Sequence, residues 1–483
     1  MLFMGIDIGT QGTRVIVADE NGGVVADASI SYECLNLANS PGHYEQSPDT
    51  WWKSTAESVA IAVGALKNKG YNPSDIVAIS VDGTSGTVLP IGNDNRPLSN
   101  GMMYNDMRSS AETSDVRMKS GLHESKMGLC FNASFALPKV LWIKKNKPHI
   151  YESARLIIHQ ADYIVGKLCG EYGISDYSNS LKTGYDLIDN CWPEYIKELG
   201  LDRTKLPGIT APGEIIGRIS KEAAVELGIS TKTYVVAGST DGYASALAAG
   251  AVHIGSWATI IGTTLVIKGV TSNIVIDPTG SSYCHKLPSG SWMVGGASNV
   301  GGGCLNNRFD KNVFDIMDSY VDNLSPTGVL IYPLIGKGER YPFVDPNAQE
   351  FIVGDISDKK VLYTALLEGV GYVERLACDL NIAMGCTIGD EIFTSGGGCK
   401  SDEWLRIRAS IMNRTMRVPA VVDAAMGSAL LAASKTYFTS LEEAAESMIT
   451  IARTIEPIKE KVKLYDELYN KFYEQCENCF KLR

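Results

Sequence analysis

The sequence predicts an α/β protein of two domains, each built on a mixed sheet with flanking helices. Three observations carry this reading. The chain is 483 residues long, roughly two to four times a typical single domain. Its first thirty residues read as strand, turn, strand, turn, strand. The same opening returns at mid-chain, from Trp257. A hydrophobic share of 45% against 20% charged residues is an ordinary globular balance, enough to fill two cores.

In the first half, Leu2 to Ile8 is an apolar strand, Gly9 to Thr13 a turn, and Arg14 to Ala18 a second strand. Asn21-Gly22-Gly23 turns the chain into a third strand, Val24 to Ala26. This antiparallel meander argues against a Rossmann opening, and GxGxxG is missing, so an NAD-dependent dehydrogenase is disfavoured. A helix is predicted over Pro48 to Leu66, with Asp49 near its start and Trp52, Ala56, Val59 and Val63 on its apolar face. The strand Ile76 to Val81 ends in Asp82-Gly83-Thr84-Ser85. Helices follow over Ala136 to Lys144 and His159 to Leu168, and Asp176 to Asn179 begins a polar stretch of turn character. Tyr234 to Ala237 is a buried strand, and Gly238-Ser239-Thr240-Asp241-Gly242 opens a helix of small residues. The domain boundary is set near Gly250.

The second half repeats the plan: strand Trp257 to Ile261, turn Gly262-Thr263-Thr264, strand Leu265 to Val270. Laying Ile8-Gly9-Thr10 over Ile261-Gly262-Thr263 puts Ile260 where the first half has Asp7, so only the first hairpin carries a carboxylate. Leu362 to Leu376 is helical, Glu391 to Thr394 a strand, and Ser395-Gly396-Gly397-Gly398 breaks the strand before another helix. A charged amphipathic helix, Val462 to Leu482, ends the chain.

Composition excludes several functions. A net charge of −11 argues against a nucleic-acid surface, since phosphate backbones are bound through concentrated Lys and Arg. No apolar run approaches the roughly 20 residues of a membrane span, and Met1 to Asp7 reads as a strand rather than a signal peptide. A cytoplasmic location fits. The eleven cysteines are odd in number and irregularly spaced, which suits reduced thiols. Cys476 and Cys479 form the one close pair, without a second pair to complete a metal site. The six histidines are dispersed, and His159 and His285 read as core or surface residues.

Five constellations carry chemistry. Asp7-Ile8-Gly9-Thr10-Gln11-Gly12-Thr13 presents bare amides and hydroxyls to phosphate oxygens, with Asp7 placed to hold a magnesium-bound water. Gly262-Thr263-Thr264 is a second such turn. Asp241 is either a helix N-cap or the carboxylate base that phosphoryl transfer to a hydroxyl needs. Ser395 to Ser401 offers glycines for close approach of a ligand. Ser401 caps the next helix there, and Asp402 and Glu403 in its first turn repel phosphate, so this loop suits a neutral adenosine. It lacks GxxxxGK[ST] and is not a P-loop. Asp82 to Ser85 and Tyr104-Asn105-Asp106 put short polar side chains where a polyhydroxylated ligand could bind.

Gly5-Ile6-Asp7-Ile8-Gly9-Thr10, Gly238 to Gly242, Gly262-Thr263-Thr264 and Gly396-Gly397-Gly398 occur in an order and spacing that resembles the FGGY carbohydrate kinases, of the actin-like ATPase superfamily. The resemblance covers essentially the whole chain. It implies two actin-like (ribonuclease H-like) domains with the active site in the cleft between them: a sugar-binding domain over 1–250 and a nucleotide-binding domain over 251–483. The terminal helix, about 462–482, is expected to pack back on the first domain. ATP and Mg2+ are the implied cofactors and a sugar the partner, with a homodimer entertained as the assembly. Asp241 looks like the catalytic base. Asp7, Ser85, Asn105, Asp106 and Asp241 are expected on the substrate, with Asp7 also holding Mg2+ through water. Thr10, Gly12, Thr13, Gly262 and Thr263 are expected on the phosphates, and Gly397, Gly398, Lys400 and Ser401 around adenosine.

Typical xylulokinases carry Met-His where this chain has Asp82-Gly83-Thr84-Ser85. Those residues, with His159 to Asp162, Ser175 to Asn179, Lys182, Gly184 to Asp186, Gly295 to Asn299 and Gly338 to Arg340, resemble the compact D-ribulokinases instead. D-Ribulose is the expected substrate and D-xylulose the runner-up. A sugar- or ATP-binding regulatory protein without transfer is the rival class, and retention of Asp7, Thr10 and Asp241 disfavours it.

Overall fold

β1 (Leu2–Ile8) is buried at every residue, and its period of two assigns each side chain to a face. Leu2, Met4, Ile6 and Ile8 enter a core with Trp51, Val59 and Val63. Phe3, Gly5 and Asp7 therefore face the opposite way. There the Phe3 ring lies 5.7 Å from Tyr437, and a Cβ on Gly5 would stand 1.7 Å from the carbonyl oxygen of Ala425. Only glycine lets the helix Ala424–Ser434 settle on this strand. That helix is buried along its whole length, which explains its uncharged run of small residues.

The structure, a computed structural model, describes residues 1–32, 40–480 and 482. Around β1 lie β2 (Gly12–Asp19), β3 (Val24–Ser31), β4 (Ile76–Gly83), β5 (Ile215–Arg218) and β6 (Tyr234–Val236). Their order is β5-β6-β4-β1-β2-β3, with Ser239–Thr240 also pairing to β4. β1 runs antiparallel to β2 and parallel to β4, which places Asp7 opposite Arg14 on one side and Asp82 on the other. The predicted helix runs Pro48–Asn68, and its buried positions include Trp51, Thr55, Val59, Ala62 and Leu66. Val59 and Val63 of the expected face are buried, while Trp52 and Ala56 are only partly so, and Trp51 is the fully buried tryptophan. Trp52 lies outward, with its indole N–H on Glu226 and its ring under Lys167.

The second sheet contains β7 (Trp257–Ile261), β8 (Leu265–Thr271), β9 (Trp292–Ser298), β10 (Glu391–Gly396), β11 (Thr415–Pro419) and β12 (Ile451–Ile455). With an edge strand, Tyr283–Lys286, beside β9, the other six run β9-β8-β7-β10-β11-β12 and repeat β3-β2-β1-β4-β6-β5 strand for strand. The senses of pairing repeat too: β7 is antiparallel to β8 and parallel to β10, as β1 is to β2 and β4. Ile261 pairs with Gly396 as Ile8 pairs with Gly83, so the weak sequence repeat is a repeat of register.

The chain forms two compact units. The first holds Met1–Ala248, His285–Gly290 and Asp423–Ile449, and the second Ala249–Cys284, Ser291–Val422 and Thr450–Arg483. The segment that rejoins the first unit is Asp423–Ile449, not the terminal helix. The terminal helix, Lys459–Cys479, stays in the second unit because its apolar stripe is matched there. Phe472 stacks 6.1 Å from Tyr332, Asp466 accepts from Arg375 at 2.6 Å, and the Tyr465 hydroxyl donates to Glu368 at 3.0 Å. Lys481, within the expected helix, lies outside the described residues.

The second unit is braced by Arg408, wholly buried and bidentate on Glu374 at 2.7 and 2.8 Å, which also donates to Thr259 of β7 and Thr394 of β10. Those two strands carry the loops at 262–264 and 396–401. The ten cysteines among the described residues are free thiols; Cys476 is buried and Cys479 exposed. No helix among the described residues is long and apolar enough to cross a membrane.

Candidate functional site

In the first unit, the ends of β1 and β4 and the start of the helix Asp241–Ala248 gather a set of carboxyls. Asp7 and Asp82 are in register, and Ser239, two residues before Asp241, pairs with Asp82. The helix Asp241–Ala248 is set by packing on Ala424–Ser434. Asp241 is its first residue rather than a cap, and its Oδ1 accepts from the amide of Gly242 at 2.7 Å. Burial is the main force on Asp7, whose carboxyl is pushed up to about 6; a hydrogen bond with Asp82 opposes this, while Asp241 and Asp423 add to it. Asp82 is fully buried and raised well above the ordinary carboxyl range by burial and by the charge of Asp7. Of the two, Asp82 is the one these forces push further towards the protonated form. Its Oδ2 accepts from the Ser428 hydroxyl at 2.6 Å, and its Oδ1 is unpartnered.

The loop after β1 is closed by the Gly9 amide on the Gly12 carbonyl at 2.9 Å. It is held from behind by Gln46, which accepts from the Trp51 indole and donates to the Thr10 carbonyl, each at 2.8 Å. Thr10 and Gly12 are partly exposed. Thr13, expected on phosphate, has another partner: its hydroxyl is buried against Ser54 at 2.7 Å, because it falls on the inward face of β2.

The two polar loops divide. Ser85 Oγ and Asn105 Oδ1 are buried and lack a hydrogen-bond partner, which fits side chains awaiting a ligand. Asp106, expected on the substrate, is already engaged. Its carboxylate takes both contacts of Arg108 Nε at 2.9 Å and the Tyr44 amide at 2.7 Å. It anchors the loop rather than presenting a free oxygen to it. Beneath the loop, Lys139 donates to the carbonyls of Ala133, Phe135 and Tyr104, and burial, with Lys182 nearby, lowers it to about 7. His159 is locked in the core between Asp162 and Thr183, and His285 is buried beside Tyr243.

Two first-unit residues were missed as site candidates. The Gln160 Oε1 accepts from the Thr84 amide and hydroxyl, which leaves its buried Nε2 without a partner. Asn179 Nδ2 donates to Asp176 at 2.6 Å, leaving its Oδ1 equally alone. Both lie in segments already singled out by resemblance, so a search there for side-chain amides would have found them.

In the second unit, Gly262, Thr263, Gly397, Gly398, Lys400 and Ser401 all line one cavity of about 450 Å³, a common volume for a small-molecule site. The turns interlock: Gly302 and Gly303 donate their amides to the carbonyls of Gly262 and Thr263 at 2.9 and 3.0 Å. Gly396 has φ +87 and faces the Ile261 carbonyl, a conformation and spacing that require glycine. Ser401 caps the helix Asp402–Met412 by accepting from the Trp404 amide. The cavity also involves Phe314, Asp318, Tyr363 and Trp404. These carry no motif and are separated by up to ninety residues, so only the fold reveals them.

Residues 2–248 match the profile of the FGGY family of carbohydrate kinases, N-terminal domain, and residues 251–436 that of its C-terminal domain. A xylulose kinase of Staphylococcus xylosus is 26% identical over 97% of this chain and 98% of its own. A gluconokinase of Bacillus subtilis (strain 168) is 27% identical, over 96% and 93% respectively. The solved xylulose kinase of Rhodospirillum rubrum shares the fold with a TM-score of 0.87 at 23% identity, over 99% of each chain.

Proposed function

This chain belongs to the FGGY family of carbohydrate kinases, and from that premise we propose that it phosphorylates D-ribulose at its terminal hydroxyl to give D-ribulose 5-phosphate. ATP is the donor. Asp241 orients the sugar hydroxyl and accepts its proton as the new O–P bond forms and the bond from the γ-phosphorus to the bridging oxygen breaks, releasing ADP. Ser85 and Asn105, with their unpartnered oxygens, bind sugar hydroxyls. Amides of the Gly9–Gly12 and Gly262–Thr263 turns bind phosphate oxygens, while Gly397, Gly398, Lys400 and Ser401 surround adenosine.

The oxygen-only donor set and the placing of Asp7 and Asp82 in register on neighbouring strands both fit a hard cation. Among the described residues no three His, Cys, Asp or Glu side chains form a metal-ligand group. Asp7 would therefore hold Mg2+ through water, with the nucleotide phosphates as its other ligands. When bound, the ion neutralises charge on the β- and γ-phosphate oxygens.

The observation that carries the kinase reading is the convergence of two glycine turns from distant parts of the sequence on one cavity. The choice of D-ribulose rests on Asp82 to Ser85 standing where Met-His is typical of xylulokinases. D-Xylulose is the second reading, favoured by relatives that bear that name. Specificity constants for pentuloses, hexuloses, pentitols, gluconate and glycerol, under ATP and Mg2+, decide between them. A value for D-xylulose about tenfold above that for D-ribulose, worth about 1.4 kcal/mol of transition-state binding, reverses the assignment.

A further inference from the structure

We propose that Asp318 reads the base of the nucleotide, accepting a hydrogen bond from the 6-amino group of adenine and disfavouring the 6-oxo group of guanine. The inference rests on the reading of the second-unit cavity as the nucleotide site. That cavity has two chemically distinct parts. One is backbone: the turn Gly262–Thr263 tied to Gly302 and Gly303. The other is aromatic. Phe314 and Tyr363 lie 5.9 Å apart, and Tyr363 and Trp404 are almost wholly buried. Flat apolar walls suit a heterocyclic base, whereas bare amides suit phosphate.

Two carboxylates line the cavity, and Asp318, rather than the exposed Asp315, is the one bonded to the aromatic part. The Tyr363 hydroxyl donates to its Oδ1 at 2.8 Å. Ser401 accepts from the Trp404 amide at 3.1 Å and gives its own hydrogen to Glu403 Oε2 at 3.4 Å. The Asp318 carboxylate is thus oriented by the Tyr363 hydroxyl that donates to it. An ionised carboxylate has about four lone-pair sites and no hydrogen to give, so what remains of Asp318 can only accept. Adenine carries a donor, N6–H2, at the position where guanine carries the acceptor O6. In one binding pose the first satisfies Asp318 and the second sets two acceptors against each other.

The test uses the full chain. Calorimetry measures the binding of ATP, GTP, purine riboside 5′-triphosphate (which lacks the 6-amino group) and 2′-deoxy-ATP. GTP and the purine analogue are expected to bind at least about tenfold more weakly than ATP, since a hydrogen-bonding site rejects a ligand that leaves it unpaired. 2′-Deoxy-ATP is expected to stay within about threefold, a smaller loss than one such hydrogen bond. In Asp318→Asn the ATP-to-GTP ratio is expected to shrink by about tenfold, because the amide can donate to O6. Equal binding of ATP and GTP by the natural protein overturns the proposal alone, as does a larger loss with 2′-deoxy-ATP than with the purine analogue, which would assign Asp318 to the ribose. Absence of binding by every nucleotide overturns the reading of the cavity itself. The analogue series needs no variant, so a misfolded Asp318→Asn does not blunt it.

Discussion

Asp7 and Asp82 face one another in register on the parallel strands β1 and β4, and Ile260 and Ser395 hold the corresponding places on β7 and β10. One sheet plan is therefore used twice, with the paired carboxyls present in one copy only. Two buried acids this close cannot both ionise without cost, and burial together with the charge of Asp7 pushes Asp82 towards its protonated form.

An amide is the neutral mimic of such an acid. Asp82→Asn should retain the hydrogen bond from Ser428 and melt close to the natural protein at pH 7. Asp82→Ala leaves the Ser428 hydroxyl and Asp7 without that partner and should cost about 1–3 kcal/mol. Chemical denaturation of the three proteins compares them. Equal losses for both variants would mean that Asp82 is ionised and its charge is needed.

Asp241→Asn separates chemistry from scaffold. Loss of a general base typically costs ~10²–10⁴ in rate. The kcat should fall at least about a hundredfold, while melting temperature and ATP binding stay near their original values. Retention of more than about a tenth of kcat, a loss of under ~1.4 kcal/mol in barrier, would remove Asp241 from the base role.

Gly262→Ala probes the turn in the cavity. No atom beyond its neighbours lies closer than 3.9 Å to the position of the added Cβ, so stability should change by less than about 0.5 kcal/mol. A phosphate approaching the backbone would meet the methyl, and KM for ATP should rise about tenfold or more, the equivalent of one lost charge-assisted hydrogen bond. Unchanged KM at unchanged stability would show that phosphate does not approach this turn.

Glu368 gives a pH dependence of known sign. Burial raises it from 4.5 to about 7, against the opposing bonds from Thr327 and Tyr465. The folded chain therefore keeps a proton that the unfolded chain releases, and stability declines as pH rises from about 4.5 to 7. Glu368→Gln lacks this titration. Between pH 4.5 and 7.5 the natural protein should lose up to about 3 kcal/mol relative to the variant. Parallel melting curves across that range would contradict the shift.

Much of the fold was legible because strand periodicity and glycine turns are local signals. Ile8-Gly9-Thr10 and Ile261-Gly262-Thr263 are alike in sequence since both end a strand at the same point of the same sheet plan. What misled were side-chain directions. Whether Trp51 or Trp52 is buried depends on a single step of helical phase, and Thr13 turns inward through the alternation of β2. Asp106 reads as a free polar residue until Arg108, two positions on, folds back over it. Asp318, Tyr363 and Trp404 come together only through helix packing, which leaves no trace at fixed spacing.

The return of Asp423–Ile449 to the first unit bears on how the protein is made. A ribosome releasing the chain from Met1 onward delivers β1 long before the helix that covers its outer face, where Phe3 and Gly5 await residues beyond 420. The amino-terminal sheet must persist half-clad through most of synthesis, with apolar surface open to chaperones or to neighbouring nascent chains. A gene fragment ending near residue 250 inherits the same exposed face permanently and should yield insoluble product. Co-expression of a fragment carrying 423–449 is the rational rescue.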